Sequence, residues 1–275
     1  MIKPLKLFLY CFLTIFTMHA YATPIAMIMD IKGNVQINGK EAELLKELNI
    51  NNQITVANQS TLTITYLSSG TEYTLNGPAT AEIGKNEISS QNKVTKKNLQ
   101  IASFTDISIP QFSQAAIVMR AEDKVEDSIT LLSPNSSKTL SASPSFMWLS
   151  PGEGFSYRIE VFSEQEDSLY TLQTTKTSVK LPNDVTLPRD QLLSWEIEAS
   201  KGQVVLYNIA EFSIANNTEL AVIKKSRPTK EASFSEILLY AWKIDKMGFK
   251  HEAQKYWQTL ANLRPNNPVI QKRLQ

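Results

Sequence analysis

The chain has 275 residues with 28 basic and 27 acidic side chains, so its formal net charge is only +1. Balanced charge provides no overall field that would attract nucleic acid or an anionic membrane surface, and we expect no nucleic-acid partner. The length allows two domains and a smaller appendage.

The first 22 residues have the pattern of a secretory signal peptide. Lys3 and Lys6 supply a positive start, an apolar run follows from Leu7 to Ile15, and Ala20-Tyr21-Ala22 is a small-x-small cleavage signal. The apolar run is shorter than the ~20 residues that a membrane-spanning helix needs. The sequence therefore predicts cleavage after Ala22 and a periplasmic or secreted protein that is not integral to a membrane. A retained N-terminal anchor is the alternative.

Removal of residues 1–22 leaves no cysteine and one histidine, His251. A thiolate or multi-histidine metal site is then excluded, and a Ser-His-Asp triad has only His251 to draw on. Glu164, Glu166 and Asp167 are close in sequence, but we interpret them as a solvated hairpin loop, with calcium binding as the alternative. We predict a non-enzymatic chain with no catalytic residues, cofactor or metal. A carboxylate-based hydrolase is the enzymatic alternative.

Residues 23–127 alternate between apolar and polar side chains in short runs, which predicts an antiparallel β domain. The main signals are the strand Val35–Ile37, the hairpin turn Asn38-Gly39, the strand Gln53–Val56 and Gly70 between two later strands. Residues 41–48 are predicted to form a loop or a single turn. Further short strands are expected between residues 101 and 120, and residues 121–128 are predicted to form a linker.

The order of these strands and turns resembles the FecR domain, a bacterial cell-envelope module that binds or senses and performs no chemistry. The resemblance implies an envelope binding or scaffolding role with a protein partner, and a sensory role is the variant of it that a stimulus would require. FecR proteins of iron-siderophore signalling carry a membrane span and a cytoplasmic arm, and this sequence shows neither pattern.

Residues 128–216 contain short, regularly spaced strands, which predict a β-sandwich. Three runs are characteristic: Pro144-Ser145-Phe146-Met147-Trp148, Tyr157-Arg158-Ile159-Glu160-Val161, and Leu187-Pro188 before Leu193-Ser194-Trp195. This pattern resembles a fibronectin type III-like sandwich. Trp148 and Trp195 are predicted to lie in its core.

The C-terminal part changes to a helical period. Residues 217–232 are predicted to form a linker, and residues 233–275 a helical hairpin with a break at Gly248 and an end at Pro265. The spacing of Ala241, Gly248, Ala253, Trp257 and Pro265 resembles a single tetratricopeptide repeat. One such repeat cannot bury both of its faces alone, so the hairpin is expected to dock on the sandwich or on another protein.

Four aromatic residues are the candidate partner-binding residues. Trp242 falls off the main apolar stripe of its helix and Trp257 fills the repeat, so both are predicted to contribute to protein binding. Tyr66 and Tyr73 flank the turn at Gly70 and would line a groove if the partner were cell-wall glycan (peptidoglycan), the alternative to a protein partner. The predicted fold class is mainly β, a FecR-like module and a fibronectin- or immunoglobulin-like sandwich followed by an α-helical hairpin.

Overall fold

The structure, a computed structural model, describes residues 24–99 and 129–274. The expected signal peptide, the strands expected between residues 101 and 120 and the linker expected at 121–128 lie outside the described residues. The described part is mainly β with helices at its C-terminal end, which confirms the predicted fold class. Within it, no helix is both long and apolar enough to cross a membrane.

Two antiparallel sheets form the first unit. Their strands are β1 (Ala26–Lys32), β2 (Val35–Ile37), β3 (Lys40–Glu41), β4 (Glu47–Leu48), β5 (Gln53–Val56), β6 (Thr61–Tyr66), β7 (Thr71–Asn76), β8 (Ala79–Ile83), β9 (Ile88–Ser90) and β10 (Val94–Asn98). One sheet has the order β10-β7-β6-β1-β4 and the other the order β3-β2-β5-β8-β9. We call them the first and second sheets.

Alternating apolar residues place the core of this unit between the two sheets. Val35 and Ile37 of β2 and Ile54 of β5 are at most 2% exposed, whereas the residues that alternate with them within these two strands are exposed. Asn38 and Gly39 both have positive φ and form the predicted two-residue hairpin turn between β2 and β3. Residues 41–48 form a turn between the very short strands β3 and β4, without a helix.

The second unit is a β-sandwich. Its strands are β11 (Thr130–Ser133), β12 (Ser137–Thr139), β13 (Ser145–Leu149), β14 (Ser156–Phe162), β15 (Ser168–Thr174), β16 (Ser178–Lys180), β17 (Leu192–Lys201) and β18 (Val204–Ile214). The sheet orders are β11-β13-β16 and β12-β18-β17-β14-β15, an arrangement of the immunoglobulin-like type. Trp148 and Trp195 are buried in its core, as predicted, and the Trp195 Nε1–H donates to the Pro134 carbonyl at 2.7 Å.

The sequence prediction differs from the structure at residues 217–232. Residues Asn217–Ser226 form helix α1 rather than a linker. The cause is a capping box: the Asn216 side chain accepts from the Glu219 amide, and the Glu219 carboxylate accepts from the Asn216 amide. The Ile223 side chain is buried in the adjacent helical core, and this contact anchors the helix.

The predicted helical hairpin is present. It comprises α2 (Phe234–Lys246) and α3 (Lys250–Leu263), joined at Gly248, and a short α4 (Pro268–Gln271) follows. The hairpin covers the outer face of the first sheet, where Met27 and Met29 of β1 share one buried cluster with Leu238 and Trp257. Its turn also meets the edge of the sandwich, because the Lys138 amide donates to the Gly248 carbonyl at 2.8 Å. The single repeat therefore buries its faces against both units.

Replacement of Met27 by alanine tests this docking. Met27 is fully buried between β1 and the helices, so Met27→Ala is expected to lower the free energy of unfolding by about 2–5 kcal/mol, measured by urea denaturation. Leu263→Ala, at a half-exposed position at the end of α3, is the matched control and should change stability by less than about 0.5 kcal/mol. Equal effects of the two substitutions would show that the helices do not rest on β1.

Candidate functional site

A cleft opens where the helices leave the first sheet. It has a volume of about 700 Å³ and lies between the turn at residues 41–44 and the segment that joins α3 to α4. A second depression of about 590 Å³ continues from it along residues 43–46. Glu43, Leu44, Val269 and Lys272 line both depressions, so together they form one elongated groove, which we call the helix–sheet cleft.

One wall of the helix–sheet cleft is held by backbone hydrogen bonds to both sheets. The Ala42 amide donates to the Val35 carbonyl at 2.9 Å, and the Leu45 amide donates to the Ile28 carbonyl at the same distance. Leu45 has a φ of 62°, a left-handed conformation that turns the chain back towards β4. This wall is therefore fixed although it contains little regular structure, and its exposed acids are Glu41 and Glu43.

The opposite wall is the C-terminal end of the chain. Asn267 caps α4 by accepting from the Val269 and Ile270 amides, and Pro268 occupies the first helical position. Ile270 is fully buried and anchors α4 to the helical core. Lys272, one residue beyond α4, is exposed at the rim and has no ion-pair partner among the described residues.

Asp30 joins the two walls at one end of the cleft. Its Oδ1 accepts from the Ile31 amide at 3.0 Å, and its Oδ2 accepts from the Arg264 guanidinium at 3.3 Å. The same guanidinium lies over the Phe234 ring, 4.8 Å from its centroid. The ion pair is partly exposed and contributes at most about 1 kcal/mol, but it ties β1 to the end of α3. Its main effect is to fix the width of the cleft.

Charges of opposite sign face each other across the cleft. Asp30, Glu41 and Glu43 come from the first unit, and Arg264 and Lys272 come from the helical end. Because Asp30 pairs with Arg264 and Arg273 pairs with Asp245, the charges left to interact with a ligand are Glu41, Glu43 and Lys46 on one side and Lys272 on the other. A ligand that carries both signs of charge along an extended shape matches this arrangement best.

A buried carboxylate lies beneath α2, next to this site. Glu72 of β7 is 7% exposed, and its Oε2 has no hydrogen-bond partner. Burial raises its pKa, and the nearby carboxylates of Glu236 and Asp30 act in the same direction, against the lowering influence of the Ser235 hydroxyl and the Lys97 ammonium. Glu72 therefore binds a proton more tightly in the folded protein than in the unfolded chain.

Two of the sequence-predicted partner-binding residues lie inside the first unit. Tyr66 is 1% exposed and Tyr73 is 5% exposed, and their rings meet edge to face at 5.5 Å between centroids. The Tyr66 hydroxyl donates to the Gly84 carbonyl, and burial raises its pKa. The prediction that these tyrosines line a groove is wrong, because both rings point into the core between the two sheets.

The two predicted tryptophans are also buried. Trp257 is 1% exposed within the hairpin, and Trp242 is 8% exposed, so neither presents its ring to solvent. The prediction that Trp242 is open assumed that α2 has one buried face. In the structure α2 lies between α3 and the first sheet, and every residue from Leu238 to Ile244 is buried. The hairpin was expected to dock on the sandwich or on another protein, but its main contact is with the first sheet, and Trp242 belongs to the buried cluster that includes Met27 and Met29 of β1.

The described residues contain no group of three or more His, Cys, Asp or Glu side chains that could hold a metal ion. His251 is exposed in the first turn of α3. Lys243 of α2 is 1% exposed, and desolvation lowers its pKa. The helix–sheet cleft was not predicted, because Asp30 and Arg264 are 234 residues apart and no local pattern links them.

Comparison with known proteins gives little guidance. No family model and no curated protein matches the chain. Dimeric latent PorU from Porphyromonas gingivalis is distantly similar in structure, with 8% sequence identity and a TM-score of 0.26 over 69% of this chain and 16% of that one. PorZ, a surface component of the type-IX secretion system of the same organism, is similar with 8% identity and a TM-score of 0.24 over 65% of this chain and 24% of that one. A titin fragment of three immunoglobulin domains is also similar, with 12% sequence identity and a TM-score of 0.17 over 68% of this chain and 54% of that one. This chain spans less than a quarter of the length of either bacterial protein, and at these TM-scores the likeness carries no functional argument.

Fluorescence tests the position of Trp242. Because its ring is almost fully buried, the difference spectrum between the native chain and Trp242→Phe is expected to have a blue-shifted maximum, typical of an apolar environment. Urea-unfolded protein provides the reference for water-exposed emission. A difference spectrum with the same maximum in native and unfolded protein would contradict the buried position.

The raised pKa of Glu72 predicts a pH-dependent stability. The contribution of its protonated form is fully present below the unfolded-state pKa of about 4.3 and is lost as the pH rises through the higher folded-state pKa. Glu72→Gln, which stays neutral, should therefore be more stable than the native chain at pH 8 and about equally stable at pH 4, as measured by urea denaturation. Exposed Glu153→Gln is the control, and a pH-independent effect of Glu72→Gln would contradict the assignment.

Proposed function

We propose that the chain is a non-enzymatic binding or scaffold protein of the bacterial cell envelope, with a FecR-like first unit that binds a protein partner. The helix–sheet cleft is the single observation that carries this proposal. It joins the first unit to the helical end and combines a fixed shape with unpaired charge of both signs.

An extended polypeptide segment is the ligand that suits the cleft best. The cleft of about 700 Å³ continues into a second depression of about 590 Å³ along residues 43–46, and this continuation favours a strand-like or loop-like segment over a compact small molecule. Glu43 and Lys272 on opposite rims can each pair with a side chain of the opposite charge. Because binding at such rims is mostly electrostatic, it should weaken at high salt.

Glycan binding is less well supported by the same geometry. Sugar rings usually stack on exposed aromatic faces, and the two tyrosines considered for this purpose, Tyr66 and Tyr73, are buried. Phe234 is the aromatic residue that lines the cleft, and its ring already stacks with the Arg264 guanidinium. Envelope localisation in this proposal depends on the signal-peptide pattern of residues 1–22 and on the FecR resemblance.

Site-specific photocrosslinking in living cells tests the proposal. A photoreactive amino acid at Glu43 or Lys272 is expected to give a protein adduct in the envelope fraction, because both positions lie on the rim of the cleft. The same amino acid at Asp184, an exposed turn residue of the sandwich away from β15, is the matched control. Lys272→Glu, combined with the photoreactive residue at position 43, should reduce the adduct several-fold because it removes the positive charge that pairs with an acidic side chain of the partner.

Two results would contradict the proposal. Adducts of equal yield at all three positions would indicate random collision rather than binding in the cleft. Binding to purified peptidoglycan in a pull-down, together with an absence of protein adducts, would favour the glycan alternative instead.

A further inference from the structure

The strand β15 forms one edge of the larger sandwich sheet and is unusual for an edge strand. It pairs with β14 on one side, and no described strand lies on the other. Its seven residues, Ser168–Thr174, include no charged residue, proline or glycine. Edge strands are commonly protected from further pairing by such residues, as β10 is by Lys96 and Lys97. A bulge at Leu169 interrupts the start of β15, but Tyr170–Thr174 form a regular edge without such protection, which indicates a segment that pairs.

The hydrogen-bonding pattern of the sheet shows which backbone groups of β15 point outward. At the far edge, the Glu211 carbonyl of β18 accepts from the Ser136 amide, so the backbone groups of Glu211 face away from β17. In antiparallel sheets the direction alternates along each strand, and the registers carry this alternation through β17 and β14 to β15. The amide and carbonyl groups of Thr171 and Gln173 consequently point away from the sheet, whereas the bulge interrupts the alternation at Leu169.

We propose that β15 pairs with the β15 strand of a second copy of this chain, around a two-fold axis at Thr171. In this register Thr171 of one copy faces Thr171 of the other. The backbone groups of Thr171 point outward in both copies, so this pair makes two backbone hydrogen bonds on the axis, and Gln173 directs its backbone groups at the strand of the other copy. A two-fold arrangement of this type uses the same surface on both copies, and the two five-stranded sheets become one continuous sheet of ten strands.

The side chains of β15 are complementary to themselves in this register. Tyr170 of one copy lies opposite Leu172 of the other, on the side of the sheet that faces the sandwich core. Both side chains are partly exposed in the single chain, and Tyr170 already packs against the buried cluster of the sandwich. Pairing would extend that core across the axis, and the Thr171–Thr171 pair is one of the favourable cross-strand combinations.

The residues that flank β15 carry complementary charges. Glu166 and Asp167 precede the strand and Lys176 follows it. An antiparallel arrangement centred on Thr171 brings the acidic end of one strand near Lys176 of the second copy, at both ends of the interface. A parallel arrangement or a shifted register would lose these contacts, so the end charges favour this register over others.

Lysine at position 171 tests the proposal in the full chain. Thr171→Lys places two positive charges directly opposite each other on the axis and should raise the dimer dissociation constant by at least about tenfold, measured by sedimentation equilibrium over a concentration series. Thr95→Lys makes the same change at an exposed position of another edge strand, β10, and should leave the constant unchanged. Circular dichroism and thermal unfolding establish that both variants are folded.

Disulfide trapping tests the register, in a chain with Cys11 replaced by serine. Directly opposed residues of a hydrogen-bonded pair have Cα atoms about 5.5 Å apart, a distance that a disulfide can span. Thr171→Cys should therefore give covalent dimers on mild oxidation. Gln173→Cys should not, because the two copies of position 173 lie four positions apart along the paired strands.

Three outcomes would overturn the proposal. The first is a chain that stays monomeric at every concentration. The second is a dimer that Thr171→Lys and Thr95→Lys weaken equally, and the third is self-crosslinking of Gln173→Cys as efficient as that of Thr171→Cys.

Discussion

The structure depends on the burial of the outer face of the first sheet beneath the helical hairpin. A sheet with two apolar faces needs a packed layer on each face, and a single helical repeat needs a surface against which its apolar side chains can pack. Met27 and Met29 point to the helices, whereas Ala26 and Ile28 of the same strand point to the second sheet. β1 is thus buried on both faces. Without the helices the first unit would expose apolar surface to water, and without the first unit the helices would do the same.

The helix–sheet cleft is a consequence of this packing. The helices cover the middle of the first sheet and share a buried cluster with Leu44 of the turn at residues 41–46, while Glu41 and Glu43 of the same turn stay exposed beside them. The gap between the two is closed at one end by the contact of Asp30 with Arg264. The groove therefore lies between two elements that are far apart in sequence, and the contacts that stabilise the fold also hold it open. A segment bound in the groove would contact both elements.

Local sequence signals predicted the elements well where the physical cause is local. The alternation in β2, β5, β14 and β17 follows from one buried face, and Gly248 separates the two helices of the hairpin as expected. α1 was missed although its capping box is visible in the sequence, because only Leu220 and Ile223 mark its apolar side. The polar composition that predicted a linker is that of a helix whose contact with the core is limited to these few apolar side chains.

The candidate site was not predictable in the same way. Whether Trp242 is exposed depends on how many neighbours α2 has, and that number is set by β1, more than 200 positions earlier in the chain. Tyr66 and Tyr73 were placed near a turn correctly, but a position near a turn does not determine which face of a strand its side chain occupies unless the register is known. The charges that matter most, at Glu43 and Lys272, belong to exposed residues with no pattern around them, so only the folded arrangement brings them to opposite rims.

The two proposed surfaces lie on different units and could act together. The cleft belongs to the first unit and the helices, whereas β15 lies at one edge of the larger sandwich sheet among the described strands, so pairing of two copies through β15 would leave both clefts open. Two clefts on one dimer bind a repeated or dimeric partner more tightly than one cleft does, because the second contact forms at a high effective concentration. A weak, charge-dependent groove can become an effective scaffold in this way without any further contact area. In such a design the sandwich supplies the valency, and the helix–sheet cleft supplies the specificity.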